Sequence, residues 1–386
     1  MQTGLPAYKR LAAELKAAVT EGRHAPGELV GSEHELSRRH GIARVTVRKA
    51  TELLVEEGIL ERHPGKGLYL RDGTARGVLK ILAGNLAWEP SIRIVRGARE
   101  EARKHGYETQ VFDAHGDATA DMESVARLAG NGTKGALIVA LHTPAFYAAV
   151  ARLKSENFPF VLVDAHCREE TGIPSVASDN YKGGFLAATR IAKSGHTAVG
   201  FIGDADASTV ADRLNGFRDG LAEFGVALPR AMTRKIVPQD PFADWGEQVR
   251  GACKKLLSST SRPTAIFCSC DAIARFCHRF CAEHHVRIPK DISIVGFDDD
   301  PMAEWLTPAL TTIRQPFTEI GATAMRLLCE QLSGADAASQ GHHALPVEWV
   351  KRGSLAKINL ERGDLAPRSL HQKKSGARSP HSKGVK

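Results

Sequence analysis

The sequence predicts two folds in one chain: a small α+β unit over residues 1–72, and a larger two-lobed α/β domain with parallel sheets over residues 78–355. Three observations predict this. Helix-period apolar residues and a Gly-rich hairpin fill the first segment, whereas from Val78 onward continuous apolar strands alternate with helical stretches. The third is size: 386 residues, 42% hydrophobic and 25% charged, are enough to bury two or three cores.

In chain order, Tyr8, Leu11, Leu15 and Val19 recur at helical spacing before Glu21-Gly22, so the first helix is amphipathic with a glycine stop. Pro26-Gly27 makes a turn. Ser32-Glu33-His34-Glu35 has the S-x-x-E form of a capping box, which starts a second, short helix running to about His40. Gly41-Ile42 turns tightly into a third helix from about Ala43 to Glu57, with Val47, Ala50, Leu53 and Leu54 inward. Two helices joined by a short glycine turn make a helix-turn-helix. On the third helix Arg44 and Arg48 are four apart on the face opposite the apolar stripe. A guanidinium fork bridges phosphate oxygens or the O6/N7 edge of guanine, and the Thr46 hydroxyl reaches phosphate. Ile59 to His63, then Pro64-Gly65-Lys66-Gly67, then Leu68-Tyr69-Leu70 form a strand, a turn and a returning strand, or wing. Arg38, Arg39 and Lys49 taken singly suit a solvated surface equally well. The array as a whole points to double-stranded DNA, with Ser32, Arg38, Arg44, Thr46, Arg48, Gly65, Lys66 and Gly67 as the contacting set.

These residues resemble the GntR-type winged helix, whose pattern reads Tyr, pro-Gly, Leu-Pro-Ser-Glu, Ser-Arg-x-Thr-Val-Arg and a Gly-x-Gly wing. Here it stands as Tyr8, Pro26-Gly27, Val30-Gly31-Ser32-Glu33, Ala43-Arg44-Val45-Thr46-Val47-Arg48 and Gly65-Lys66-Gly67. Val30-Gly31 departs from Leu-Pro. Ala43 departs from Ser and removes a hydroxyl that would cap the recognition helix or touch phosphate.

After the polar linker 73–77, strands are predicted at 78–82, 109–112, 136–140, 160–163, 198–202, 265–268 and 292–296, and helices at 92–104, 181–193, 214–224, 245–257 and 272–285. Such alternation means parallel sheets covered on both faces, and the cleft between the C-terminal edges of two sheets is where a ligand binds in such folds. Gly130-Asn131-Gly132-Thr133-Lys134-Gly135 matches G-x-G-x-x-G but precedes a strand and opens no helix, so it reads as a loop. No phosphate-loop, serine-hydrolase or zinc-protease signature occurs.

Several phrases resemble the effector domain of the LacI/GalR regulators, related to periplasmic sugar-binding proteins. They are Ser178-Asp179-Asn180 with Gly183-Gly184, Gly195-His196, Arg213 with Gly216-Phe217, Arg262-Pro263-Thr264-Ala265 followed by Asp271, the run from Ile288 to Asp299, and Leu310-Thr311-Thr312-Ile313. The resemblance implies a two-lobed domain crossed by the chain near residues 177, 305 and 334. It also implies effector contacts from Arg213 and Asp271, with Trp245 and Trp88 near the ligand and Cys270 replacing the usual Asn. Either Trp suits half-buried packing as well, and Asp298 and Asp299 read as shaping the turn after their strand. A guanidinium donor with a carboxylate acceptor suits a polyol.

The formal charge of +8 is unevenly spread: residues 1–72 carry a net +2 and residues 357–386 a net +6, leaving the middle neutral. The Lys-, Ser- and Pro-rich stretch 356–386 reads as a disordered basic tail. Seven cysteines, an odd number, argue against a disulfide framework. Cys268, Cys270, Cys277 and Cys281 lie near His278, but C-x-C with C-x3-C is no usual zinc spacing, and the thiols read as buried and metal-free. No cofactor is implied. With no apolar run long enough for a membrane and no signal-peptide pattern, the expectation is a cytoplasmic protein.

Together these readings describe a non-enzymatic transcription regulator. The resemblance to arabinose-responsive repressors adds a homodimer that a small carbohydrate releases from operator DNA. Two rivals remain: a sugar-modifying α/β enzyme with an accessory DNA-binding domain, and a regulator of a non-sugar ligand such as a purine.

Overall fold

None of the first three helices can hide its apolar stripe alone, so each is covered by the others. The computed structural model describes residues 6–71, 77–129, 133–139, 144–165, 172–204, 207–237 and 245–358. Its first part consists of α1 (Ala7–Thr20), β1 (Leu29–Gly31), α2 (Glu33–His40), α3 (Arg44–Glu56), β2 (Leu60–His63) and β3 (Gly67–Leu70). Helices α1 and α2 both pack on α3, and the strands form an antiparallel sheet in the order β1-β3-β2. Leu11, Leu15, Val19, Leu36, Val47, Leu54, Leu60, Leu68 and Leu70 make one core under them.

From Val78 the chain runs β4 (Val78–Leu82), α4 (Glu89–Lys104), β5 (Glu108–Phe112), α5 (Ala118–Ala126), β6 (Ala136–Val139), α6 (Pro144–Ser155), β7 (Phe160–Val163), β8 (Ser175–Ser178) and α7 (Asn180–Lys193). It continues through β9 (Val199–Gly203), α8 (Ser208–Ala222), β10 (Thr233–Lys235), α9 (Trp245–Leu257), β11 (Ala265–Cys268), α10 (Asp271–Glu283), β12 (Ser293–Val295) and β13 (Thr312–Arg314). The last elements are α11 (Phe317–Leu332), α12 (Ala337–Gln340), β14 (His342–Leu345) and β15 (Glu348–Val350), which pairs with β13.

Two parallel sheets result. The sheet β14-β8-β7-β6-β4-β5 belongs to a first unit, which contains the residues up to 182, then 206–212 and 314–348. The sheet β10-β9-β11-β12 belongs to a second unit of residues 183–205, 213–313 and those from 349 on. In the first sheet, Leu79, Ile81, Leu137, Val161 and Val163 face a cluster with α4 and α11, whereas the alternate residues Leu82, Ile138 and Leu162 face Val125, Phe146 and Val150 of α5 and α6. Alternation buries both faces, which is why these strands read as continuous apolar runs. Helices α4 and α11 meet at two glycines: a Cβ on Gly97 would collide with the Thr318 carbonyl, and one on Gly321 with that of Ile94.

The boundaries between units fall at 182/183, 313/314 and 348/349 rather than near 177, 305 and 334, and residues 206–212 join the first unit in addition. The physical reason for the last shift is pairing: β14 lies alongside β8, so the chain stays in the first sheet well past 334. Residues 356–358, expected to begin the tail, are bonded into the second unit. The Ala356 N–H donates to Ser293 Oγ (3.0 Å), and the Ile358 N–H donates to the Ser194 carbonyl (2.8 Å). The rest of the expected tail, the linker residues 72–76 and Gly130-Asn131-Gly132 lie outside the described residues.

Cys253, Cys268, Cys277 and Cys281 are free and buried in the second unit's core, with the Cys253 and Cys277 sulfurs 3.5 Å apart. Among the described residues no group of His, Cys, Asp and Glu is arranged to hold a metal ion, and no helix is long and apolar enough to cross a membrane.

Candidate nucleic-acid interface and effector site

The interface begins with α2, whose start is closed by its own side chains. Ser32 Oγ accepts from the Glu35 N–H (3.2 Å), and Glu35 Oε2 accepts from the Ser32 N–H (2.7 Å). Gly41 closes the helix in the left-handed region (φ 64°) and turns the chain into α3. Helix α3 starts at Ala43 without a side-chain cap, as the missing hydroxyl implies. Arg44, Val45, Arg48 and Lys49 are exposed, and Thr46 is half-buried. Glu33, on α2, links recognition helix and wing: its Oε2 accepts from Arg48 Nε and Nη2 (3.2 Å each) and its Oε1 from Arg62 Nη1 (2.6 Å). Burial alone would raise the Glu33 carboxyl, but the hydrogen bonds from Arg48 and Arg62 outweigh it and hold it below the usual range. In the wing, β2 and β3 pair from Leu60↔Leu70 to His63↔Gly67, leaving Pro64, Gly65 and Lys66 exposed at the tip. Gly65 and Gly67 both have positive φ (72° and 119°), and a Cβ on Gly67 would press on Leu29 and the Gly31 carbonyl. Arg38 is exposed on the last turn of α2. The sequence reading missed Arg62, whose signal is its position on the strand entering the wing.

In the second unit, Arg213 sits on α8 and is 5% exposed. A glycine makes this position possible, since a Cβ on Gly184 of α7 would collide with the Arg213 carbonyl. Arg213 Nη1 donates to the Ser269 carbonyl (2.6 Å), its guanidinium lies 3.9 Å above the Phe297 ring, and Asp298 Oδ1 is 4.0 Å away. Ser269 and Phe297-Asp298 follow β11 and β12, so this cluster stands at the C-terminal edge of the sheet. Cys270, partly exposed, precedes α10 beside it; burial and then the Asp298 charge push its thiol up.

Asp271 opens α10 at the same strand edge, two residues after the carbonyl that Arg213 bonds, and its own N–H donates to the Phe297 carbonyl (2.8 Å). Asp271 Oδ1 accepts from the Thr312 hydroxyl (2.7 Å) and Oδ2 from the Asp300 N–H (2.9 Å). The missing side chain of Gly296 leaves the space that its carboxylate enters. Asp271 lines a small recess with Arg275, Met302 and Leu306, in which Arg213 takes no part. Burial, and to a lesser degree the nearby Asp300 and Asp299, push its carboxyl up to about 7 against the two hydrogen bonds. Asp298, read from sequence as a turn-former, places a carboxylate 4.0 Å from Arg213, and its φ is 128°.

Trp245 opens α9 at 8% exposure and packs in the second unit's core with Ile202, Met232 and Val249. Trp88 is 41% exposed just before α4, at the C-terminal edge of the first unit's sheet. At that same edge Asp113 accepts from the Leu86 and His115 N–H groups, and Asp164 follows β7 with φ 54°. Sequence reasoning passed over both; an aspartate directly after an apolar strand is the signal.

Residues 7–70 match the model of the bacterial regulatory proteins, gntR family, and residues 188–355 match a periplasmic binding protein-like domain. The chain is 27% identical over 369 residues to an arabinose metabolism transcriptional repressor of Geobacillus stearothermophilus, covering 92% of this chain and 99% of that one. It is 31% identical over 253 residues to the HTH-type transcriptional regulator MalR of Streptomyces coelicolor, covering 64% and 71% respectively. Among solved structures, a LacI family transcriptional regulator from Enterococcus faecium with bound ribose matches with a TM-score of 0.61 at 25% identity, over 73% of this chain and 100% of that one.

Proposed function

Because the chain belongs to the DNA-binding transcription regulators that join a gntR-type helix-turn-helix to a LacI-type periplasmic binding protein-like domain, we propose that it is a homodimeric repressor that a small carbohydrate releases from its operator. The observation that carries the ligand class is the Arg213 cluster. A buried guanidinium stacked on Phe297, with the Asp298 carboxylate beside it at a strand edge, offers a donor fork and an acceptor to neighbouring hydroxyls of a polyol. Relatives named for arabinose and a neighbour holding ribose support the same class. Asp271 acts here as a positioning residue, holding the turn that carries Asp298 through its bond to the Asp300 N–H. On the DNA side, Arg44 and Arg48 read or clamp from α3, Arg38 and Thr46 meet phosphate, and Lys66 reaches the backbone from the wing.

A thermal-shift screen of the whole chain against monosaccharides, disaccharides and purines tests the ligand, since binding to the folded state raises the melting temperature. The expected hit is a monosaccharide that lowers operator affinity in an anisotropy titration, a response absent from Arg213→Ala and Asp298→Asn. A purine hit, or turnover of a sugar, rejects the proposed ligand and function.

A further inference from the structure

Val45 is one of the two most exposed large apolar side chains among the described residues, at 80%. It stands on the first turn of α3, between Arg44 and Thr46, and no buried cluster includes it. At about 100° per residue, the buried stripe Val47, Ala50, Thr51 and Leu54 lies on the side of α3 opposite Val45. The outward face is therefore Val45, Arg48, Lys49 and Glu52, an apolar centre in a charged rim. Packing inside the unit gives no account of a branched aliphatic residue there.

We propose that Val45 reads the C5-methyl group of a thymine in the major groove, beside the base contacted by Arg48. The inference rests on the DNA-binding reading above and adds a specificity-determining residue to it. Thymine is the one base that presents a methyl on the major-groove edge, and an aliphatic side chain recognises it by apolar contact. Cytosine at that place offers the valine only an amine, whose water would be lost without a hydrogen bond in exchange. The contact costs nothing in salt dependence, because no counterion is displaced by an uncharged side chain.

Deoxyuridine lacks only that methyl and keeps the pairing edge of thymine. An operator is first selected from random duplex with the full-length protein, and each thymine is then replaced singly by deoxyuridine. One symmetric pair of positions should weaken binding by about four-fold each, the worth of one buried methyl. In Val45→Ala, an exposed substitution whose folding is checked by its melting curve, the shorter side chain should shrink the difference between the thymine and deoxyuridine duplexes, and in Val45→Ser that difference should vanish. Placing 5-methylcytosine for cytosine at that position should strengthen the wild type and leave Val45→Ser unchanged. If the deoxyuridine penalties are the same in Val45→Ala as in the wild type, or if no thymine shows one, the proposal fails while DNA binding stands. If Val45 served a protein partner instead, the variant would show that same unaltered pattern. Failure to select any operator would overturn the DNA-binding reading itself.

Discussion

Asp271 shows how one side chain links chemistry to pH. Its carboxyl is buried and held up at about 7, so the folded chain keeps a proton there that the unfolded chain releases near the ordinary carboxylate range. Between those two values folding takes up a proton, and the contribution of Asp271 to stability falls as pH rises toward 7. His196 works the other way. Burial lowers its ring to about 4, with Nε2 donating to the Ala356 carbonyl (3.1 Å), so its contribution is lost as pH falls below the ordinary histidine value. In Asp271→Asn the downward slope disappears, and stability measured by urea unfolding should rise more steeply from about pH 5 to pH 8 than in the wild type. An unchanged slope would mean that the carboxyl is not held up. The residue scale is also where sequence reading reached its limit. The sequence singled out Arg213 and Asp271 as separate contacts to a ligand, but that Asp298 would stand 4.0 Å from Arg213 was not legible. The positions of the two carboxylates turn on the bare Cα of Gly296, which admits Asp271, and on the positive φ at 298, which no local pattern announces.

Among the elements, the three N-terminal helices and the hairpin were legible to within two residues because caps and turns bracket them: Ser32 with Glu35, Gly41, and Gly65 with Gly67. Ser32→Ala should cost the first unit about 1 kcal/mol, as loss of an N-cap does, read as a lower melting temperature with the operator-binding specificity kept. Helices α5, α6, α11 and the short α12 went unassigned. Half of α11 is buried, including Phe317, Ile320, Ala324, Met325, Leu327 and Leu328, so no wide polar stripe marks its period. The glycines within helices had reasons visible only in three dimensions. Gly184→Ala should push α8 away from α7, destabilising the protein by roughly 1–3 kcal/mol or more as overpacking does. It should also blunt the response to sugar, because Arg213 moves with the displaced backbone. A Gly184→Ala protein with normal sugar response would show that α8 accommodates the methyl elsewhere.

For the molecule as a whole, the proposal makes operator and sugar reciprocal ligands. If sugar weakens operator binding by some factor, operator must weaken sugar binding by the same factor, typically about 5- to 150-fold. Tighter operator binding with sugar would reverse the sign, and equal affinity would remove the coupling. Light scattering on the full chain should show a dimer at micromolar concentration, matched by an inverted-repeat operator. Within that complex, Lys66→Ala should weaken all sequences alike and reduce the salt slope, whereas Arg48→Ala should also relax preference at one symmetric pair of positions, by roughly 1–3 kcal/mol if it reads a base. Loss of Arg48 also leaves Glu33 with Arg62 as its remaining partner, so Glu33→Gln should alter discrimination more than overall affinity.

The interleaving of the two units sets an order on synthesis. Residues 6–71 enclose a core of their own from contiguous chain, and such local folds form quickly. The first sheet, by contrast, lacks its edge strand β14 until residue 345 is made, and the second unit lacks the segment in which Ser354 Oγ donates to the Ile294 carbonyl and accepts from the Thr311 N–H. A ribosome must therefore pass residue 345 before the first sheet is complete and residue 354 before the second unit is closed, while the DNA-reading head was finished at residue 70. Nonsense mutations late in the gene should accordingly yield fragments whose heads survive proteolysis and whose remainder does not. Pulse proteolysis of chains stopped at residue 340, compared with chains stopped at 358, would show whether residues 341–358 close both units at once.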